Sequence, residues 1–473
     1  MKKAEEYKES LRKMRPNIYK FGELIKDVTK HPATKLCVEG HAKIFSLSLE
    51  PEYEELLTTK SNLTGEKISR YLSINLSPED MIANCKLKRL IFNLIGTCTG
   101  ARCVGWNAIN GMWATTYEMD MEMGTDYHLR LKKWLANAQR EDITLSGALT
   151  DPKGNRTLPP SKQEDPDMNL HIVEERNDGI IVRGAKVMIA GVSAANEIFV
   201  LPGTKYDEED KDYAVSFVIP RDAEGLTIVE ARHPSDGREE DGFDLPLGAC
   251  GITQAYLFFE DVFVPKERVF LCKEYKFTLP AVMNFILPYR TAIGGCVAGQ
   301  GDVMVGASIL LARANGLNEK VFREKLIKMT MNNETTFGIG IAASTLGKKH
   351  SSGLWIPDPL LANINKVYVS TLPYETKIIA QDIGGGIAET GCMPSYKDFI
   401  SDKYGKLIEK YMKASVSGEE RMKIARLVEW LTVGAGIPGC MHGGGSPDAA
   451  RLLIRANANF EKYVELAKKL AKI

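Results

Sequence analysis

A mostly helical chain with a central antiparallel β domain is the fold class predicted here, and three observations predict it. Apolar residues recur at helical spacing in the first third of the chain, as in Phe21-Leu24-Ile25 and Tyr53-Leu56-Leu57. Short β-rich runs separated by Asp-Gly and Pro-Gly turn chemistry fill the middle. Helical patterns return from about residue 278, and no period of 20–50 residues repeats. The 473 residues carry 61 Lys+Arg against 61 Asp+Glu, with 44% hydrophobic residues, which is a globular composition. Zero net charge excludes a general nucleic-acid binder, which would show a basic excess. The charged N-terminus, Met1 to Lys8, lacks the apolar core of an export signal, so a cytoplasmic chain away from membranes is expected. The cysteines, nine in all, then read as free thiols or metal ligands rather than disulfides.

In chain order, residues 1–145 read as a helical domain. Ser77-Pro78-Glu79-Asp80 predicts a helix start, with Ser as N-cap, Pro in the first turn and acids beside the positive end of the dipole. Residues 146–277 read as a compact β-barrel. Within them, 171–183 predicts a hairpin turning at Asn177-Asp178-Gly179. Residues 278–473 read as a C-terminal helical bundle, with helices over 279–315, 318–345, 359–383, 402–413, 418–434 and 447–470.

Four constellations could carry chemistry. Ala148 to Arg156 crowds hydroxyls, amides, a Lys and an Arg into one loop, groups that bind a polarised ring edge or a pyrophosphate. An ordinary polar turn has the same composition. Gln381 to Gly386 ends an apolar helix in glycines, which permit close approach of a ligand or simply cap the helix. Met441-His442-Gly443-Gly444-Gly445-Ser446-Pro447 leads into a helix N-terminus, a place where anions bind. Cys98-x4-Cys103, with Cys296 far along the chain, lacks zinc-ribbon or bacterial ferredoxin spacing and reads by spacing as buried thiols.

Joined in order, "TTKSNLTG" (58–65), "RCVGWNAIN" (102–110), "ALTDPKGNR" (148–156), "VRGAK" (182–186), "DVFVPKERVFLC" (261–272), "GGC" (294–296) and "MHGGGSP" (441–447) resemble one family end to end. It is that of the 4-hydroxybutyryl-CoA dehydratases and 4-hydroxyphenylacetate 3-hydroxylases, and the motifs sit nearest the dehydratase branch. The resemblance implies an acyl-CoA dehydrogenase-like fold, FAD, and a homotetramer. It places Thr150, Asp151, Lys153, Asn155 and Arg156 on the flavin, with Ile189 and Ala190 flanking its ring. Gln381, Gly384, Gly385 and Gly386 would meet the adenosine end from a neighbouring subunit.

The same resemblance puts Cys103 and Cys296 on two cysteine ligands of a [4Fe-4S] cluster, and Cys98 on the third if one residue is inserted. The cluster's histidine, also the branch's proposed base, is Tyr289 here. Tyrosine is a poor iron–sulfur ligand, and with a pKa near ~10 it needs activation to act as a base. On a regular helix the inserted residue would also turn one thiol about 100° from the other. The balance falls against an intact cluster. Gln254, Ile293, Val297 and Gly439 replace further ionisable residues of the branch. The hydroxylase branch's Arg is matched by Arg102, but its Tyr and its phenol-activating His are Trp106 and Gly147 here.

The expected function is FAD-dependent dehydration or double-bond isomerisation of a short acyl-CoA. Candidate catalytic residues are Tyr289, Arg89, Glu118 and His442. Two alternatives stand: a monooxygenase fed with reduced flavin by a partner reductase, and a flavin-binding subunit without catalysis.

Overall fold

The computed structural model describes residues 1–96, 98, 100–232, 236, 253–434 and 441–473. The N-terminal helices are α1 (Ala4–Arg12), α2 (Pro32–Leu47), α3 (Pro51–Leu57), α4 (Pro78–Ile95), α5 (Gly100–Met123) and α6 (Tyr127–Glu141). The C-terminal ones are α7 (Thr278–Ala314), α8 (Arg323–Thr345), α9 (Pro359–Val369), α10 (Leu372–Gly384), α11 (Gly386–Glu389), α12 (Tyr396–Phe399), α13 (Gly405–Met412), α14 (Gly418–Glu429), α15 (Pro447–Asn457) and α16 (Phe460–Ala471). The predicted start of α4 is found: Ser77 Oγ accepts from the Asp80 amide and Pro78 occupies the first turn. Where one helix was expected over 359–383, α9 and α10 form instead. Pro373 cannot donate its amide and crowds the preceding turn, so a single helix cannot run through it. The span 447–470 is likewise two helices, the second capped by the Asn459 side chain on the Lys462 amide.

Among the described residues two larger sheets lie between the helical parts, beside two two-stranded ones. One is six-stranded, ordered β2 (Glu23–Ile25), β1 (Ile18–Lys20), β10 (Leu226–Glu230), β11 (Gln254–Pro265), β7 (Gly179–Ala190), β6 (His171–Arg176). The other is four-stranded, ordered β12 (Val269–Cys272), β9 (Val215–Pro220), β8 (Glu197–Val200), β5 (Leu145–Ala148). The hairpin is as read, with Arg176 opposite Gly179 across the turn.

The expectation of an acyl-CoA dehydrogenase-like layout around an antiparallel barrel needs correction. Among the described residues neither sheet closes, and two strand pairs, β1–β10 and β5–β8, are parallel. The N-terminal region also contributes strands where helix was expected. Asn17 explains this: its side-chain amide donates to Arg221 O and Leu226 O, both at 2.9 Å, and its carbonyl accepts from Ile228 N. Those bonds hold Ile18 against β10 and bury it, and Ile25 on β2 is buried as well.

The long helix α7 forms the spine of the C-terminal half, contacting α4, α5, α8, α9, α10 and α14. Its glycines set how closely α4 comes. A Cβ at Gly295 would stand 2.2 Å from Cys85 O, and one at Gly299 2.4 Å from Arg89 O. Backbone meets backbone there, so neither side can yield. Gly295→Ala is expected to destabilise the protein by about 1–3 kcal/mol through overpacking. Denaturant unfolding measures it, and an unchanged midpoint would refute the close approach.

Candidate active centre

The loop after β5 is fixed by a buried ion pair. Lys186 Nζ lies 2.6 Å from Asp151 Oδ1, and both side chains are almost wholly buried. Tyr206 Oη donates to Asp151 Oδ2 at 3.1 Å, and the Thr150 carbonyl accepts from Val187 N at 2.9 Å. Burial, with the Asp151 charge next, pushes the Tyr206 phenol well above its ordinary range. Asp151 is therefore the anchor of the loop rather than an open ligand. Asn155 closes the next turn, its Oδ1 accepting from Thr157 N and Oγ1. Lys153 and Arg156 stand exposed on the rim, with no ion pair among the described residues.

Ile189 is buried and Ala190 half-buried at the end of β7, beside the start of α5. A Cβ at Gly100 would fall 2.7 Å from Ala190 Cβ, and one at Gly191 2.4 Å from Ala101 N. The loop-and-strand region and the thiol-bearing segment are thus in direct contact.

Cys98 lies outside any helix, between the left-handed Gly96 that ends α4 and Gly100 that begins α5. This corrects the helical-rotation argument, because a thiol ahead of the helix is not bound to its register. Cys98 and Cys103 exchange a hydrogen bond, and Cys296 lies close enough to act electrostatically on Cys98. The hydrogen bond with Cys103, followed by burial, holds the Cys98 thiol well above its ordinary range. Burial pushes the Cys296 thiol up to about 12. Three segments distant in sequence thus bring three thiols together.

Tyr289 borders the same centre, its ring stacked on Phe285 with centroids 6.0 Å apart. The glycine turn covers it: a Cβ at Gly444 would lie 2.7 Å from Tyr289 Cδ1. Next along α7, buried Arg290 donates from Nε to Gly444 O at 2.9 Å and from Nη1 to Asn363 Oδ1. Burial brings the Arg290 guanidinium down to about 10.

The sequence reading passed over Lys88. It is 2% exposed on α4, its ammonium 5.8 Å from the Tyr289 ring centroid, and its charge acts on Cys85, Cys98 and Cys296. Its neighbour Arg89, the residue picked from sequence, points elsewhere. Arg89 pairs with Asp302 at 2.8 Å and with Glu334, and those carboxylates hold its proton still more firmly.

Two other candidates stand apart. Glu118 pairs with His350 Nε2 at 2.8 Å, on α5 fifteen residues beyond Cys103, about 22 Å along the helix. His442 is exposed, its carbonyl accepting from Gly445 N in the turn over Tyr289. Gln381 and Gly384 end α10, which packs on α7, α8 and α14. Gly385 and Gly386 are exposed with nothing within 4 Å of a would-be Cβ. Gln254 is exposed and pairs with Ala190, whereas Ile293 and Val297 are buried with Val369 beside Tyr289. Gly439 lies outside the described residues.

The three positions matched to the hydroxylase branch's phenol site are all packed against neighbours. A Cβ at Gly147 would fall 2.6 Å from Val104 Cγ1, so no side chain fits there. Trp106 is buried and donates to Ser73 O at 2.8 Å. Arg102 is buried with its guanidinium 4.0 Å over the Phe45 ring.

Comparison with known proteins agrees with this division. The model of the 4-hydroxyphenylacetate 3-hydroxylase N-terminal region matches residues 3–271, and that of the C-terminal region 280–472. The chain is 41% identical, over 488 aligned residues and 99% of both proteins, to the 4-hydroxybutyryl-CoA dehydratase/vinylacetyl-CoA-Delta-isomerase of Clostridium aminobutyricum. Identity to the 4-hydroxyphenylacetate 3-monooxygenase oxygenase component of Thermus thermophilus is 26%, covering 90% of this chain and 88% of the other. A solved oxygen-tolerant archaeal 4-hydroxybutyryl-CoA dehydratase from N. maritimus superposes with a TM-score of 0.94 at 37% identity, covering 100% of this chain and 95% of that one. A hydroxylase oxygenase component complexed with FAD and 4-hydroxyphenylacetate gives 0.87 at 24%, a likeness of fold. Butyryl-CoA dehydrogenase of Megasphaera elsdenii reaches only 0.50 at 15%, over 89% of this chain and 88% of that one. The fold is therefore that of the dehydratases and hydroxylases, and the acyl-CoA dehydrogenase-like assignment is overturned.

Proposed function

The chain belongs to the 4-hydroxyphenylacetate 3-hydroxylase family, and from that premise we propose an FAD-dependent enzyme that dehydrates or isomerises a short-chain acyl-CoA. The convergence of Cys98, Cys103 and Cys296 beside Tyr289 carries this reading. The filled position at Gly147 weighs against phenol hydroxylation, and with it against a partner reductase.

FAD would supply one- or two-electron steps that side chains cannot perform. The residues fit it. Lys153 and Arg156 offer exposed cations without ion partners for a pyrophosphate, and Gly385 and Gly386 leave open backbone for an adenosine. In this assignment residues 146–277 hold the flavin, residues 278–473 provide Tyr289 and Cys296, and residues 1–145 provide Cys98 and Cys103. A cytoplasmic homotetramer belongs to the same reading. Association between chains is supported by α16, which buries no residue and exposes Phe460, Tyr463, Leu466 and Leu470.

A four-ligand iron–sulfur cluster does not fit this donor set. Three thiols and a phenol occupy the centre, and a phenol is not among the usual ligands of such a cluster. Isomerisation asks for less than dehydration, since it needs only proton transfers beside an acidified carbon. Tyr289 Oη is the group placed to hold that proton, because Glu118 is distant and His442 faces solvent. The test is extraction of flavin from pure anaerobic protein, together with conversion of vinylacetyl-CoA to crotonyl-CoA. About one FAD per chain with turnover is expected. Protein that holds no FAD after reconstitution removes the reading.

A further inference from the structure

We infer that Ser352 is an activated nucleophile, deprotonated by His350 as it attacks, and that the cleft beside it takes esters of short apolar acids. The inference lies outside the flavin and thiol region and needs nothing of the acyl-CoA reading.

Two distant parts of the chain build the constellation. His350 and Ser352 sit in the turn between Lys348–Lys349 and Trp355–Ile356, two short strands that pair. Glu118 comes from α5, and its Oε1 lies 2.8 Å from His350 Nε2. An ionised carboxylate only accepts, so Nε2 carries the imidazole proton. Nδ1 then keeps its lone pair, and two donors point at it: Ser352 Oγ at 2.9 Å and the Ser352 amide at 3.1 Å. A backbone N–H only donates, so both sides of the ring require the same tautomer. Carboxylate, imidazole and hydroxyl thus stand in the order of an orienting group, a base and a nucleophile. A turn needs no more than the amide bond to Nδ1, whereas Glu118 fixes the ring from 232 residues away. Trp113 Nε1 holds the turn by donating to Ser352 O at 3.2 Å, and His350 N donates to Leu354 O at 2.7 Å.

Glu118 and His350 are partly exposed and Ser352 is half-buried. A cleft of about 610 Å³ opens beside them, bordered by Glu118 and Ser351, with Met121, Phe277 and Pro280 as apolar walls. Lys276 is exposed on the same cleft without an ion pair among the described residues, and offers a cation to the charge that develops on the attacked oxygen. In the reaction Ser352 Oγ bonds to the acyl carbon while His350 Nδ1 takes the hydroxyl proton. The ester C–O bond breaks, and the departing alcohol carries that proton away. Water then attacks the acyl-serine and gives a proton to Nδ1, which returns it to Ser352 Oγ as the acid leaves.

A fluorophosphonate tests the nucleophile in the full-length protein: Ser352 Oγ bonds to phosphorus, fluoride leaves, and the mark is located by peptide mass mapping. Ser351 is the comparison within the same molecule, being exposed on the cleft, with no hydrogen bond from its hydroxyl among the described residues. Ser352 should be marked at least about 100-fold faster than Ser351, the help a general base gives. Glu118→Gln should slow marking of Ser352 at least about tenfold, because an amide no longer enforces the tautomer. Marking of Ser351 should not change, whereas a merely loosened turn would alter both serines. Release of p-nitrophenol from p-nitrophenyl acetate should fall at least about tenfold in Ser352→Ala. Wild-type protein that marks the two serines equally, or marks neither, overturns the proposal. So does marking of Ser352 that Glu118→Gln leaves unaltered, or ester turnover that survives in Ser352→Ala.

Discussion

Tyr289→Phe should lower kcat for vinylacetyl-CoA isomerisation by about 100-fold or more, while leaving flavin content and thermal stability in place. That range is what a positioned acid or base contributes to proton transfer. The substitution removes one oxygen and keeps the ring. The Phe285 stacking and the Gly444 cover both act on the ring, so the packing of α7 should survive. The Lys88 ammonium stands 5.8 Å from the ring centroid. Steady-state kinetics, with the flavin spectrum and the Tm as controls, checks the expectation. Full activity in the variant would remove Tyr289 from the chemistry and leave His442 as the next residue to test.

Much of this centre was legible in the sequence through the motifs that carry Cys103, Cys296 and the 148–156 loop. What escaped depends on direction. Lys88 and Arg89 are neighbours on one helix, about 100° apart, and sequence alone does not say which faces inward. The fold decides it: Lys88 is buried near the Tyr289 ring, while Arg89 reaches the carboxylates of Asp302 and Glu334. The inserted residue between Cys98 and Cys103 was read as a rotation within a helix, yet the helix begins only at Gly100. Its capping glycine, Gly96, stood in the sequence as the available signal. The fold was read well where one local device sufficed, as at Ser77-Pro78 and the 176–179 turn. It was misread where pairing is non-local. Strand β1 has three residues, too few for any period, and exists because Asn17 ties it to β10 more than two hundred residues away. The parallel pairing of β5 with β8 likewise leaves no mark in either four-residue segment.

Asp151→Asn should destabilise the fold by about 3–5 kcal/mol, the usual effect of leaving a buried charge without its partner. The substitution keeps the shape and removes the charge, so the ammonium of Lys186 stays buried with only two carbonyls, Leu149 O at 3.2 Å and Leu201 O at 2.8 Å. Those bonds answer its donors but not its charge. Tyr206 Oη would keep an acceptor in the Asn side-chain oxygen, so the loss belongs mainly to the ion pair. The loop carrying Lys153 and Arg156 hangs from this anchor, so weaker FAD retention should accompany the lower Tm. The double variant Asp151→Asn/Lys186→Met separates the two effects. Removing both charges should recover most of the stability, because an apolar replacement of a whole buried pair is often neutral. If the double variant melts no higher than Asp151→Asn alone, the carboxylate does something other than neutralise Lys186, and the anchoring role assigned to it is wrong.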